Sequence, residues 1–219
     1  MKVALLPAKP LALAKTRLAP LLTDADRARV AAAMYTDVLH ALATADAIEA
    51  VVVVTADPTL AGHARRVGAI VVDEGAPRGL NGAVMLGTDA AVRLGATSVL
   101  VVLSDVPLVQ PGDIDDLLRR NPLQGARVVP SKEGTGTNAM LRTPPTVFPS
   151  RFGGRSLERH VAAAEHAGIP CTVVRNARLE LDLDTPEDLR MFAGAPSDTE
   201  TYRELVCRGD APLRFGIRA

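Results

Sequence analysis

Short runs of β-branched and apolar residues alternate along the chain with longer, Ala-rich stretches whose apolar positions recur at helical spacing. Residues 2–6, 50–55, 69–73 and 98–104 read as strands. The runs at 51–54 and 99–103 are apolar without alternation, the pattern of strands covered on both faces. Helices fill the intervals. The first extends from Thr23 to Ala45, with Thr23 as N-cap, Asp26 three residues on, and Val30, Met34, Val38, Leu39 and Leu42 as its apolar stripe. A second opens on Asp57-Pro58 and stops near Gly68, and a third covers 80–94 and is stopped by Gly95. Strand–helix–strand repetition needs crossover connections, so the predicted class is α/β, a three-layer α/β/α sandwich on a mostly parallel central sheet.

After Pro107 the pattern loosens. It predicts a short helix over 112–119, a strand near 127–130, a Gly/Thr-rich turn and a strand over 138–142. A helix over 156–168, a strand near 172–174, a strand-like run over 179–184 and a helix capped by Thr185-Pro186 follow. One domain, 1–219, accommodates these elements, with about 195–219 as a weakly patterned C-terminal extension. No repeat of fixed period interrupts them.

Composition narrows the function. Of 219 residues, 47% are hydrophobic and 23% charged, as in globular proteins. The 25 Lys and Arg cancel the 25 Asp and Glu, and aromatic residues make up 3%, which argues against a nucleic-acid partner. Any anion site must be local. Cys171 and Cys207 have neither disulfide-framework nor zinc spacing, which fits a reducing cytoplasm. The apolar runs are far shorter than the ~20 residues of a membrane span, and the N-terminus lacks the pattern of a secretory signal. A cytoplasmic protein without a membrane partner is expected.

Six segments could carry chemistry. The loop Pro7-Ala8-Lys9-Pro10, continuing through Lys15, Thr16 and Arg17, follows the first strand, where open α/β sheets bind ligands, and its cations suit a polyphosphate. Asp105 leaves the end of the strand before Val106-Pro107. In Leu181-Asp182-Leu183-Asp184, strand alternation would put both carboxylates on one face, a crowding that a hard cation such as magnesium relieves. Gly134-Thr135-Gly136-Thr137-Asn138-Ala139 matches a dinucleotide fingerprint literally but lies far from the first strand; it reads better as an anion-binding turn. Phe152-Gly153-Gly154-Arg155-Ser156 leads into a helix N-terminus, another anion site, with His160 one turn on. Gly79-Leu80-Asn81-Gly82 also opens a helix, and its small residues would let a base or ribose approach. No P-loop is present.

In order, PAKPLALAKTRLAPLL, GLNGAVMLG, LSDVP, GTGTNAM, FGGRSLERH and LDLDTPEDL resemble the 2-phospho-L-lactate guanylyltransferase family, which includes phosphoenolpyruvate guanylyltransferases, across essentially the whole chain. The resemblance implies a GT-A-like nucleotidyltransferase fold. It implies transfer of GMP from GTP to a small three-carbon phospho-acid, with pyrophosphate released, in coenzyme F-420 biosynthesis. Carried over by position, it puts magnesium on Asp105, Asp182 and Asp184, and Lys15 near the phosphates, with Arg17 beside it offsetting charge. Thr137, Gly153 and Ser156 would hold the phospho-acid, and Pro7, Ala8, Lys9, Gly79 and Asn81 would face guanosine. Val106-Pro107 and Met140 are mild departures from the family pattern. The acceptor stays open among phosphoenolpyruvate, 2-phospholactate and 3-phosphoglycerate, and a homodimer is compatible with this reading. Rival readings are a sugar-phosphate or molybdopterin nucleotidyltransferase, and a non-catalytic nucleotide-binding domain.

Overall fold

The computed structural model describes residues 1–119 and 124–207. Its centre is a seven-stranded sheet of β1 (Lys2–Pro7), β2 (Ala50–Thr55), β3 (Ile70–Asp73), β4 (Ser98–Val102), β5 (Gly125–Pro130), β6 (Thr137–Thr143) and β7 (Cys171–Val173). The spatial order is β3-β2-β1-β4-β6-β5-β7. Only β6 runs against its neighbours, pairing antiparallel with β4 and β5, so the sheet is mostly parallel as the alternating pattern predicts.

Helices cover both faces. On one side α1 (Asp24–Thr44), α2 (Pro58–Arg66) and α4 (Pro111–Arg119) pack Tyr35, Val38, Leu60 and Ile114 against Ala4, Leu6, Val53 and Leu100. On the other, α3 (Gly79–Arg93) and α5 (Ser156–His166) pack Val84, Ala91 and Ala164 against Val3, Leu5, Val52 and Val101. Successive strand residues thus point to opposite faces, and both faces are dry, which explains the unbroken apolar runs. At Gly87 the third helix comes so near the sheet that a Cβ would lie 2.2 Å from Leu5 Cδ1.

The predicted caps form: Thr23 Oγ1 accepts from the Asp26 N–H, and the Asp57 carboxylate accepts from Thr59 and Leu60. Helix α7 (Pro186–Ala193) opens with a reciprocal capping box between Thr185 and Asp188, which makes Thr185, and not Asp184, its cap.

The run 179–184 departs from expectation. It begins inside a short helix, α6 (Ala177–Glu180), and continues as irregular chain with no place in the sheet. Extended backbone alone satisfies a period-two pattern over four residues. Leu183 is fully buried, while Asp182 is held by side-chain contacts described below.

A third apolar cluster joins Leu18, Met34, Leu183, Leu189, Phe192 and Leu205. It ties the loop after β1 to the segment around residue 184, two parts of the chain distant in sequence. Part of the weakly patterned C-terminal stretch docks on α1, where the Asp37 carboxylate accepts hydrogen bonds from the Glu200 and Thr201 N–H groups and the Thr201 hydroxyl. Residues 208–219 lie outside those described.

Candidate functional site

The loop after β1 is held at both ends. Ala8 N–H donates to the Val54 carbonyl, and Leu11 N–H donates to Asp57 Oδ2, so the cap of α2 also fixes this loop. Two 3-10 turns follow, Leu11–Leu13 and Thr16–Leu18. Between them Lys15 adopts the left-handed conformation at φ 52°, ψ 40°, which costs a side-chain-bearing residue roughly 1–2 kcal/mol. Buried Leu18 anchors the far side of this strained position.

The strain aims an ammonium. Lys15 Nζ lies 2.8 Å from Asp105 Oδ2 and 2.6 Å from Asp184 Oδ1, with 9% of its side chain exposed. Burial by itself would lower the Lys15 pKa, but the two carboxylates outweigh it, and the net shift is upward. Burial raises Asp184, and Lys15, Arg17 and Lys9 together bring it below the ordinary carboxylate value. Arg17 Nη1 stands 3.7 Å from Asp184 Oδ2 on a side chain that is 76% exposed, a cation presented to solvent.

Asp105 sits just past the end of β4, as expected. Its backbone carbonyl accepts from the Leu183 N–H at 3.0 Å, which joins the two acidic segments directly. Its Oδ1 is buried without a hydrogen-bond partner among the described residues.

Asp182 reaches the same neighbourhood through Asn138 on β6. The Asn138 amide donates to the carbonyls of Leu179 and Glu180 and, at 3.1 Å, to Asp182 Oδ1. The foundation of this segment is Asp113 on α4, whose carboxylate takes a bidentate pair from Arg178 and a third bond from Asn176. Burial, with the adjacent Asp105 and Asp184 charges, pushes the Asp182 carboxyl up to about 6. The sequence pattern singles out Thr137, expected at the phospho-acid, but not its chain neighbour Asn138.

A cavity of about 620 Å³ opens over Lys15, Asp105 and Asp184, and Asp182 is not among its lining residues. Pro7, Ala8, Lys9, Lys15, Arg17, Gly79, Asp105 and Asp184 all line it, so most of the residues expected to meet the nucleotide converge there. Asn81 is placed otherwise: its amide donates to the Phe152 carbonyl and accepts from the Phe152 N–H, tying α3 to the 150–154 loop.

Thr137 and Ser156 are buried, Gly153 has φ +114°, and none of the three lines the cavity. They group around the start of α5. There His160 Nε2 accepts from the Arg151 N–H, so its Nδ1 carries the proton toward Thr137 Oγ1, 3.1 Å away. The Phe152 ring meets the imidazole edge-on at a centroid distance of 4.8 Å. Burial first, then the Arg142 and Arg159 charges, bring the His160 pKa down to about 4. His160 therefore positions Thr137 and the 151–152 backbone as a neutral group.

The acidic set fits a divalent cation in its chemistry. A buried, unpartnered carboxylate oxygen on Asp105 and a crowded Asp182 are both relieved by a hard cation with oxygen ligands. In the conformation described, the Lys15 ammonium bridges two of the three carboxylates, and no ready-made group of three metal-ligating side chains occurs among the described residues.

The family described as "Guanylyl transferase CofC like" matches residues 1–207. A phosphoenolpyruvate guanylyltransferase of Conexibacter woesei is 42% identical over 98% of this chain and 93% of its own length. A 3-phospho-D-glycerate guanylyltransferase of Phenylobacterium zucineum is 37% identical over 88% of this chain and 89% of its own. Among solved structures, a protein described as a nucleotide-diphospho-sugar transferase from Desulfovibrio desulfuricans superposes with a TM-score of 0.77 at 19% identity, covering 97% of this chain and 96% of that one. A nucleotidyl transferase from Methanothermobacter has a TM-score of 0.66 at 14% identity, covering 88% and 95%. These neighbours show the nucleotidyltransferase sandwich of the GT-A-like type, and the sequence matches go further: the chain belongs to the CofC-like guanylyl transferase family.

Proposed function

We propose that this member of the family transfers GMP from GTP to a small three-carbon phospho-acid, with phosphoenolpyruvate the favoured acceptor, and releases pyrophosphate. The observation that carries this reading is the Lys15 ammonium lodged between Asp105 and Asp184 on the wall of the cavity. The acceptor is suggested by the relatives named phosphoenolpyruvate guanylyltransferase, at 42% and 38% identity. The activated product would serve assembly of coenzyme F-420.

In this mechanism a phosphate oxygen of the acid attacks the α-phosphorus of GTP. The new bond joins that oxygen to the α-phosphorus, the bond to the β-phosphate bridge breaks, and pyrophosphate leaves with its electron pair. No protein nucleophile is needed, so the task of the chain is alignment and charge neutralisation. Lys9, Lys15 and Arg17 would offset the triphosphate charge, and Asp105, Asp182 and Asp184 would hold magnesium. Bound there, the ion would supply Lewis-acid stabilisation of phosphoryl oxygens. Thr137 at the start of β6, with Gly153 and Ser156 at the N-terminal end of α5, would receive the phospho-acid.

The test is pyrophosphate release from GTP with phosphoenolpyruvate, 2-phospho-L-lactate and 3-phosphoglycerate in turn, coupled to a trap for labile product. Release with phosphoenolpyruvate well above the other acids is expected. No release with any of them overturns the reading.

A further inference from the structure

Glu74 is a buried carboxylate that none of the chemistry above uses. It follows β3 and lines the same cavity as the catalytic loop, with 6% of its surface exposed. Its backbone N–H donates to the Thr55 carbonyl, which fixes the main chain, and its Oε1 accepts from the Arg78 N–H at 2.8 Å, which holds the carboxylate. No other hydrogen bond to this carboxylate occurs among the described residues, which leaves Oε2 and a lone pair of Oε1 as acceptors without protein partners. Pro77, Leu80 and Ala83 give the same part of the cavity an apolar surface.

The sheet order sets the distance from the charged end. Strands β3 and β4 are separated by β2 and β1, three spacings of about 4.8 Å, or roughly 14 Å in all. The cavity thus has a cationic and acidic end at Lys15, Asp105 and Asp184, and an apolar end with one carboxylate. A nucleoside triphosphate has this polarity, phosphates at one end and a flat base at the other.

We infer that Glu74 selects the base, accepting hydrogen bonds from N1–H and the 2-amino group of guanine. The inference rests on the guanylyl-transfer reading and names the group that makes it specific. An ionised carboxylate can only accept. Guanine offers two adjacent donors on its pairing edge. Adenine and cytosine each offer one donor beside a ring acceptor that a carboxylate repels, and uracil flanks its single donor with two carbonyls. A buried acceptor pair therefore favours guanine, and hydrogen bonds to a charged group discriminate by one to two orders of magnitude.

The test is equilibrium binding of GTP, ITP, ATP and XTP to the full chain, wild type and Glu74→Gln, in the presence of magnesium, with pyrophosphate release read separately. ITP lacks the 2-amino group, and XTP replaces it with a carbonyl. Wild type is expected to bind GTP at least 10-fold more tightly than the other three. Glu74→Gln, whose amide can donate to the xanthine carbonyl, is expected to lose at least 10-fold for GTP and to gain for XTP. Equal wild-type affinities for GTP and ITP, or an unchanged GTP-to-XTP ratio in the variant, overturn the assignment. If the variant does not fold, Glu74→Asp, which keeps the charge but withdraws it by one methylene, is expected to narrow the GTP-to-ITP ratio; an unaltered ratio overturns the assignment. Selective binding without pyrophosphate release would count against the transfer reading alone, whereas release with unselective binding would count against Glu74 alone.

Discussion

The N–H of Leu183 donates to the carbonyl of Asp105 at 3.0 Å, a single backbone bond that brings together acidic segments 78 positions apart in the sequence. On one side of it the Leu183 side chain is sealed in the third apolar cluster; on the other, Asp184 meets the Lys15 ammonium. Asp182 and Asp184 are thus brought to Asp105 on a segment that is not itself a strand.

Lys15→Met should lower the rate of pyrophosphate release on the order of 10²–10³-fold, the usual cost of removing a preorganised charge stabiliser. It also leaves Asp105 and Asp184 facing each other without the cation between them. Steady-state kinetics of the variant, with circular dichroism to confirm folding, checks this; a loss below about 3-fold would show that Lys15 is not part of the reaction.

Asn138→Ala should act through position. The Leu179 and Glu180 carbonyls and Asp182 all lose their shared donor, and each buried acceptor left unpaired costs about 1–3 kcal/mol. Urea unfolding is expected to show a loss in that range or above, and magnesium titration of activity a shift to higher concentration.

His160 makes stability depend on pH. Its folded pKa of about 4 lies below the ordinary 6.5, so the fold favours the neutral imidazole. Its contribution is complete above pH 6.5 and is lost as the pH falls from 6.5 toward 4, by roughly 3 kcal/mol in total. Urea unfolding at pH 7.5 and pH 4.5 should show a smaller acid loss in His160→Gln than in wild type, because the variant cannot titrate there.

Gly87→Ala tests the close approach of α3. A Cβ would stand 2.2 Å from Leu5 Cδ1 and 2.8 Å from Val54 Cγ2, so either the helix or the buried Leu5 and Val54 side chains must give way. Overpacking of this kind costs about 1–3 kcal/mol or more, and a thermal scan should show a drop of several degrees.

The first half of the fold was legible because strands buried on both faces and capped crossover helices leave strong periodic signals. Thr23, Asp57 and the apolar run before Asp105 all do so. The run 179–184 misled for a physical reason: Leu-Asp-Leu-Asp alternates, but the segment takes its shape from Asn138, from the Asp113–Arg178 pair and from the burial of Leu183, none of them local. Of the site, Lys15 and Asp105 could be named from position after strands, and Asp184 from the crowding of carboxylates in Leu-Asp-Leu-Asp. Asn81 looked available for a nucleoside, and only its tertiary partner, Phe152, reveals the amide to be occupied. Glu74 stayed hidden because Glu-Gly-Ala-Pro reads as a solvated turn, and its burial depends on elements distant in the chain.

Magnesium-dependent pyrophosphate release from GTP and phosphoenolpyruvate in the double variant Asp182→Asn/Asp184→Asn, measured beside wild type, puts the proposed role of the acidic set to the test. A loss of at least about 10²-fold with the far-ultraviolet circular dichroism unchanged is predicted. Undiminished release by the folded double variant would contradict it.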